Sequence, residues 1–170
     1  KTIKWTVDGT GKYVRHGSLG DSGLTGRKII ASGGGSGGYA PHGGGSAVKP
    51  HYASDKLLPL FARFIAKTVI DAGLANTCTV ALSGAIGQKK LQSLRISGDG
   101  LKAAHASAVA KFIRAQYPEI SPKTINELFR TFELNNFDAV IFDCLTGGDP
   151  KAMPWEDTVE SARKLKEFIG

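Results

Sequence analysis

The stretch from Arg15 to Lys49 contains the residues whose types and spacing suit the binding of a polyphosphate. Twelve of the chain's 22 glycines lie between Gly17 and Gly45. Glycine loses more backbone entropy on folding than any other residue, so a dense run indicates tight turns or close approach of the backbone to a ligand. The same stretch contains four cations and a single acid: Arg15, Arg27, Lys28, Lys49 and Asp21. Amides and cations bind phosphate oxygens, and the acid suits a divalent cation bound to that phosphate.

Three better-known motifs do not explain this stretch. Gly34 to Gly38 fits the G-x-S-x-G pattern of serine hydrolases, but no helix follows it, as that motif requires. Gly23 to Lys28 has the wrong spacing for a Walker A loop and leads into a predicted strand. Three nearby histidines lack the spacing of a zinc site. A small anionic ligand is the remaining interpretation.

Composition restricts the class of protein. The 170 residues are 41% hydrophobic and 22% charged, which is typical of one globular domain. The net charge of +7 is spread along the chain without a nucleic-acid reader motif, so we expect no nucleic-acid partner. No membrane-length apolar run or signal peptide is found, so we expect no membrane partner and a cytoplasmic location. Cys78 and Cys144 each lie in an apolar run and are predicted to be buried thiols.

The hydrophobic pattern predicts an α+β fold, with a mixed β-sheet and helices packed on one face. Strands are predicted at 3–7, 12–15, 27–31, 77–86, 91–97 and 137–144. Helices are predicted at 54–73, 102–117, 122–132 and 154–168. The inward face of the last helix is expected to carry Trp155, Val159, Ala162 and Leu165. Ser54 and Ser121 are the expected N-caps of two of them. We expect a single domain over 1–170, in which 1–15 is a leading β-hairpin and 32–46 is a glycine-rich active-site loop.

Two motifs in the glycine-rich stretch resemble S-adenosylmethionine synthetase (methionine adenosyltransferase). They are Gly-Asp-Ser-Gly-Leu-Thr-Gly-Arg-Lys-Ile at 20–29 and Gly-Gly-Tyr-Ala-Pro-His-Gly-Gly-Gly at 37–45. Looser matches follow at Thr10 to Val14, at Ala85-Ile86-Gly87 and at Pro154-Trp155-Glu156. The resemblance covers nearly the whole chain, but it corresponds only to the C-terminal part of the family's longer chain.

The resemblance implies a reaction in which methionine sulfur attacks C5′ of ATP and displaces tripolyphosphate, which is then cleaved to pyrophosphate and phosphate. It assigns Arg27, Lys28 and Lys49 to catalysis by gripping the phosphates. It implies that Asp21 lies in the nucleotide region and that Tyr13 takes the place of a ring stacked on adenine. It further implies that Ile86 lines the substrate pocket and that Asp55 serves a Mg²⁺ site, with K⁺ as a possible second cation.

Simpler interpretations stay open for these residues. The cations of Arg27 and Lys28 can be solvated charges at a strand end. Asp55 complements a helix dipole whatever else it does. Tyr13 and Ile86 can be core residues.

Departures from the family pattern leave two functions open. Ala53 stands where the family has a lysine, and the family's N-terminal part is not represented. The first hypothesis is a subunit or C-terminal part of the synthetase, in a hetero- or homo-oligomer, with its active site completed by a complementary N-terminal chain. The second is a non-catalytic paralogue that binds a synthetase and regulates or stabilises it.

Overall fold

A computed structural model describes residues 2–3, 5, 11–12, 14–15, 17–20, 52–85, 87–134 and 153–170. The helices of these residues are α1 (Gly17–Gly20), α2 (Ser54–Asp71), α3 (Ala103–Gln116), α4 (Pro122–Phe129) and α5 (Val159–Ile169). Two 3₁₀ turns lie at Thr131–Glu133 and Pro154–Glu156. Strands β1 (Thr79–Ser83) and β2 (Ser93–Ser97) pair antiparallel. The predicted α+β class is confirmed.

Helix α2 is the central element of the described part. Its apolar residues recur at helical spacing and are buried: Leu57, Leu60, Phe61, Phe64, Ile65 and Val69. The helix contacts β1, α4, α5 and the 3₁₀ turn Pro154–Glu156. Full burial of each such side chain stabilises the fold by about 1.5–3 kcal/mol. The position of α2 is therefore fixed from several sides.

The sequence predicts the C-terminal end of α2 correctly and its N-terminal cap wrongly. At the C-terminal end, Gly73 adopts φ +69°. Its N–H bonds the carbonyl of Ile70 at 2.8 Å, and the N–H of Leu74 bonds that of Val69 at 3.2 Å, which is a Schellman motif. At the N-terminal end, the predicted Ser54 cap is wrong. Ala53, in extended conformation and without a side-chain cap bond, holds that position.

The hairpin of β1 and β2 turns its apolar side chains towards the helices. Its register pairs Val80 with Ile96 and Leu82 with Leu94, and all four side chains belong to the core or pack against it. Both strands are shorter than predicted. The backbones on either side of the hairpin approach closely just beyond the Thr79–Ser97 pair. A Cβ on Gly98 would lie 1.9 Å from the carbonyl oxygen of Thr77, so this position has no room for a side chain.

Helices α3 and α4 largely follow prediction. Val109, Phe112 and Ile113 are the buried residues of α3. Ser121 caps α4 in a capping box, in which the Thr124 N–H donates to Ser121 Oγ (3.3 Å) and the Ser121 N–H donates to Thr124 Oγ1 (2.9 Å). Helix α4 ends three residues earlier than predicted because Arg130 adopts a left-handed conformation, with φ +49°.

The predicted helix 154–168 is wrong at its start. Pro154–Glu156 forms a 3₁₀ turn, and the extended conformation of Asp157 (ψ 96°) separates it from α5. Val159, predicted to face inwards, is 78% exposed, whereas Trp155, Ala162 and Leu165 are buried as predicted. The break at Asp157 changes the helical phase, so that Trp155 packs inwards independently of α5.

The other predicted strands are not tested. Segments 27–31 and 137–144, and the glycine-rich loop 32–46, lie outside the described residues. In the predicted leading hairpin, Ile3, Trp5 and Val14 are described, and they are exposed and not assigned to a strand. Among the described helices, none has the length and apolar character needed to cross a membrane.

Candidate functional site

The structure describes one of the seven predicted site residues, Asp55. The other six lie outside the described residues, and their roles stay predictions: Tyr13, Asp21, Arg27, Lys28, Lys49 and Ile86. The described part of the site is therefore the start of α2 and the elements that surround it.

Asp55 lies in the first turn of α2 and is half-buried. The carbonyl of Ala53 accepts the first bonds of the helix, from the N–H groups of Lys56 (3.0 Å) and Leu57 (3.1 Å). A carboxylate in a first helical turn interacts favourably with the helix dipole, typically by about 0.3–1 kcal/mol. The start of the helix is thus a favourable place for a carboxylate, the kind of group that binds a divalent cation.

The start of α2 lies beside the end of β1. A Cβ added to Gly84 would lie 3.8 Å from Cδ1 of Leu58, one helical turn after Asp55. Gly84 and Ala85 directly precede the predicted pocket residue Ile86. The helix turn that carries Asp55 and the segment that leads to Ile86 are therefore neighbours, although they are far apart in the sequence.

Lys56 was missed by the sequence analysis and is almost fully buried, with 1% of its surface exposed. A buried ammonium is costly unless it is paired. The available signal was the recurrence of Lys56, Leu60 and Phe64 at every fourth residue, which puts all three on one helical face. The first turn of α2 thus combines a half-buried carboxylate with a buried ammonium.

A salt bridge ties α2 to the 3₁₀ turn Pro154–Glu156. Arg63 Nη2 donates to Glu156 Oε2 at 3.1 Å, and Arg63 Nε donates to Glu156 Oε1. The Glu156 side chain is 6% exposed, whereas that of Arg63 is 50% exposed. In the same turn Trp155 is fully buried and packs edge-on against Phe129, with ring centroids 6.3 Å apart. The Pro-Trp-Glu motif therefore anchors the helix that carries Asp55.

A second polar contact fixes the other end of α2. Asp71 accepts hydrogen bonds from Lys67 Nζ, at 2.7 Å, and from Thr158 Oγ1. Desolvation raises the pKa of Asp71, but the hydrogen bonds from Lys67 and Thr158 and the Lys67 charge outweigh it, so the pKa lies below its usual value. Asp71 is thus held ionised between α2 and the residue that precedes α5.

A family profile described as "S-adenosylmethionine synthetase, C-terminal domain" matches residues 15–157. The chain belongs to this family. It is 37% identical over 172 residues to an S-adenosylmethionine synthase of Synechococcus sp. (strain RCC307), covering 97% of this chain and 42% of the relative. It is 44% identical over 110 residues to the enzyme of that name from Ruegeria pomeroyi, covering 64% of this chain and 28% of the relative.

A solved structure agrees with this assignment. The structure titled "an Unusual S-adenosylmethionine synthetase from Campylobacter jejuni" is similar with a TM-score of 0.67 and 33% identity, covering 94% of this chain and 41% of that chain. The chain therefore spans about two fifths of the length of the synthetases that match it over nearly its whole sequence.

The part of this synthetase-family chain that the structure describes contains no group of three or more histidine, cysteine or acidic residues arranged to hold a metal ion. Asp55 is the one predicted metal ligand among the described residues. Mg²⁺ commonly takes one or two protein carboxylates and completes its octahedral shell with phosphate oxygens and water. A half-buried carboxylate at the start of a helix fits that role.

Proposed function

We propose that this chain forms the C-terminal part of a methionine adenosyltransferase, which makes S-adenosylmethionine from ATP and methionine and releases phosphate and pyrophosphate. The observation that carries the proposal is the family match over residues 15–157. That range includes six of the seven predicted site residues, all but Tyr13.

The proposed contribution of the chain is to bind the leaving group. When the methionine sulfur attacks C5′ of ATP, the C5′–O bond breaks and tripolyphosphate leaves with its bonding electron pair. The cations of Arg27, Lys28 and Lys49 stabilise the negative charge that develops on it. Fixed cations that match transition-state charge supply a large share of catalysis in such reactions, and the loss of one donor costs about a hundredfold or more in rate.

The remaining assignments surround this group. Tyr13 packs against adenine, Asp21 serves the nucleotide region, and Ile86 lines the substrate pocket. Asp55 holds Mg²⁺, which when bound neutralises phosphate charge as a Lewis acid. K⁺ is a possible second cation. The position of Asp55 beside the segment that leads to Ile86 supports a single site, because it brings the two regions together.

The site is proposed to be completed by a second polypeptide in a hetero- or homo-oligomer. The support is that the chain spans about two fifths of the length of its relatives, which are named S-adenosylmethionine synthase. In this proposal residues 1–170 act as one domain of a cytoplasmic enzyme, and the glycine-rich segment 32–46 borders its active site.

One observation favours the alternative of a non-catalytic paralogue that binds a synthetase and regulates or stabilises it. Ala53, where the family resemblance calls for a lysine, is the N-cap of α2 and lies two residues from Asp55. Its methyl group supplies neither charge nor a hydrogen bond to a phosphate.

Native mass spectrometry of the purified protein, combined with an assay of S-adenosylmethionine formation, separates the two functions. We expect activity in assemblies that contain a second polypeptide. We also expect Asp55→Asn to raise the Mg²⁺ concentration needed for half-maximal rate, with Glu127→Gln, an exposed acid of α4, as the matched control. A chain that forms no product in any assembly, but changes the activity of a bound synthetase, would support the paralogue instead.

A further inference from the structure

A cleft of about 310 Å³ lies between the middle of α2, the C-terminal ends of α3 and α4, and the start of α5. Its floor is aromatic and includes Phe64, Tyr117 and Phe129. These rings meet edge to face: the centroids of Phe64 and Phe129 are 5.5 Å apart, and those of Phe64 and Tyr117 are 6.3 Å apart. Asp55, the one predicted site residue that the structure describes, does not line this cleft.

The aromatic floor is held in place by the core. Phe64 is 5% exposed and Phe129 is 1% exposed, and both belong to the main hydrophobic cluster. Phe129 also contacts the buried ring of Trp155. Because close-packed rings move little, the cleft is preformed, and a ligand would bind without ordering its floor.

The rim of the cleft carries one carboxylate that no other side chain neutralises within the described part of the chain. Asp157 is exposed and has no side-chain hydrogen bond or ion pair there. The other acid of the rim, Glu160, is bound to Arg163 (2.7 Å) and to Lys164 (3.4 Å). The acid that is available to a ligand is therefore Asp157.

We propose that this cleft is a ligand site that binds a small organic cation with a flat apolar body. The body lies against Tyr117, the partly exposed ring of the floor, and the cation faces Asp157. Aromatic rings attract cations as well as apolar groups, so floor and rim favour the same chemistry. The volume is at the lower end of the range for small-molecule sites, which favours a compact ligand. The proposal does not depend on the proposed synthetase activity, since it rests on the described residues of the cleft alone.

The test is an NMR titration of the full chain with 2-phenylethylammonium, followed through backbone amide shifts. We expect saturable shifts at Tyr117, Ser161 and their neighbours, with a millimolar dissociation constant. Two matched probes separate the contributions: butylammonium lacks the ring, and phenylacetate has the ring but the opposite charge. Both should bind at least about tenfold more weakly.

Two cleft variants test the residues. Asp157→Asn should weaken 2-phenylethylammonium binding about tenfold, and Ser161→Leu, which adds bulk inside the cleft, should abolish it. Glu127→Gln removes an exposed acid that does not line the cleft and should change nothing. Unchanged amide shifts away from the cleft would verify that each variant is folded. Equal binding of phenylacetate, wild-type affinity in Asp157→Asn, or no shift at millimolar probe would overturn the proposal.

Discussion

Two buried charged side chains, Lys56 and Glu156, lie on elements that surround the candidate site. Lys56 follows Asp55 in the first turn of α2, and Glu156 binds Arg63 from the 3₁₀ turn on the same helix. A buried ion is expensive unless it is paired, so the cost of removing its partner exceeds the value of the pair itself. The Arg63–Glu156 pair can therefore be tested by removing its exposed member.

Arg63→Met should lower the free energy of unfolding by about 2 kcal/mol, because it takes a cation away from the buried Glu156 carboxylate. The half-exposed position of Arg63 keeps the expected loss below that of a fully buried pair. Lys123→Met is the matched control. Lys123 Nζ lies 3.8 Å from Glu127 Oε1, and both side chains are highly exposed. It should cost less than about 0.5 kcal/mol. Urea denaturation measures both, and equal losses would contradict this account of the salt bridge.

The thiol of Cys78 is half-buried, and burial raises its pKa to about 11. At pH 8 it is therefore protonated in the folded protein and should react with a thiol reagent far more slowly than after unfolding in urea. Because the folded pKa lies above the unfolded value, the associated stability is complete below the unfolded pKa and is lost as the pH rises towards 11. Reaction kinetics with and without urea, on a Cys144→Ala background, test this. Equal rates would show that Cys78 is accessible.

At the scale of elements, helix α2 positions the described part of the candidate site. Its start carries Asp55 beside the end of β1, and its remaining length is held by β1, α4, α5 and the Pro-Trp-Glu turn. The ends of the neighbouring helices are fixed by local hydrogen bonds, as in the capping box of α4.

Ser121→Ala should lower stability by about 1 kcal/mol, because it removes the side chain that accepts the Thr124 N–H at the start of α4. Ser54→Ala provides the comparison. Ser54 is the first residue of α2 and makes no cap bond, because Ala53 holds the N-cap position. It should change stability by less than about 0.5 kcal/mol. Thermal unfolding of the two variants distinguishes them, and a larger loss for Ser54→Ala would restore Ser54 as the cap.

The elements show what the sequence can and cannot predict. Helical periodicity located α2 and α3, and Gly73 and Ser121 marked an end and a start correctly, because these signals are local. Ser54 was misassigned because a serine can sit either at the cap or one residue inside it, and only the φ and ψ of Ala53 decide. The turn at Pro154 was misassigned because Trp155 is buried by contacts with distant elements, and helical periodicity does not report such contacts.

In the candidate site, too, local features could be predicted from the sequence and long-range contacts could not. The metal-binding role of Asp55 comes from the family resemblance and stays a prediction, whereas its place in the first turn of α2 follows from local sequence. Its proximity to the segment leading to Ile86 depends on how β1 packs against α2, which is long-range. Lys56 had a periodic signal, but its burial depends on the neighbours that the fold supplies.

At the scale of the whole molecule, the family assignment and the length of the chain lead to the central proposal. The chain matches the C-terminal domain of S-adenosylmethionine synthetases and spans about two fifths of such relatives. The cations of its glycine-rich stretch are proposed to bind the leaving polyphosphate, while another polypeptide completes the site. In this proposal the reaction takes place in an assembly, whereas binding of polyphosphate is expected of this chain itself.

The most direct measurement is isothermal titration of the chain with tripolyphosphate in the presence of Mg²⁺. The account predicts saturable binding that weakens about tenfold or more in Arg27→Ala and in Lys28→Ala, because each removes a charge-assisted hydrogen bond worth about 1.5–3 kcal/mol. Lys123→Ala, an exposed lysine of α4, should bind like the wild type. Wild-type affinity in both Arg27→Ala and Lys28→Ala would contradict the proposed phosphate site.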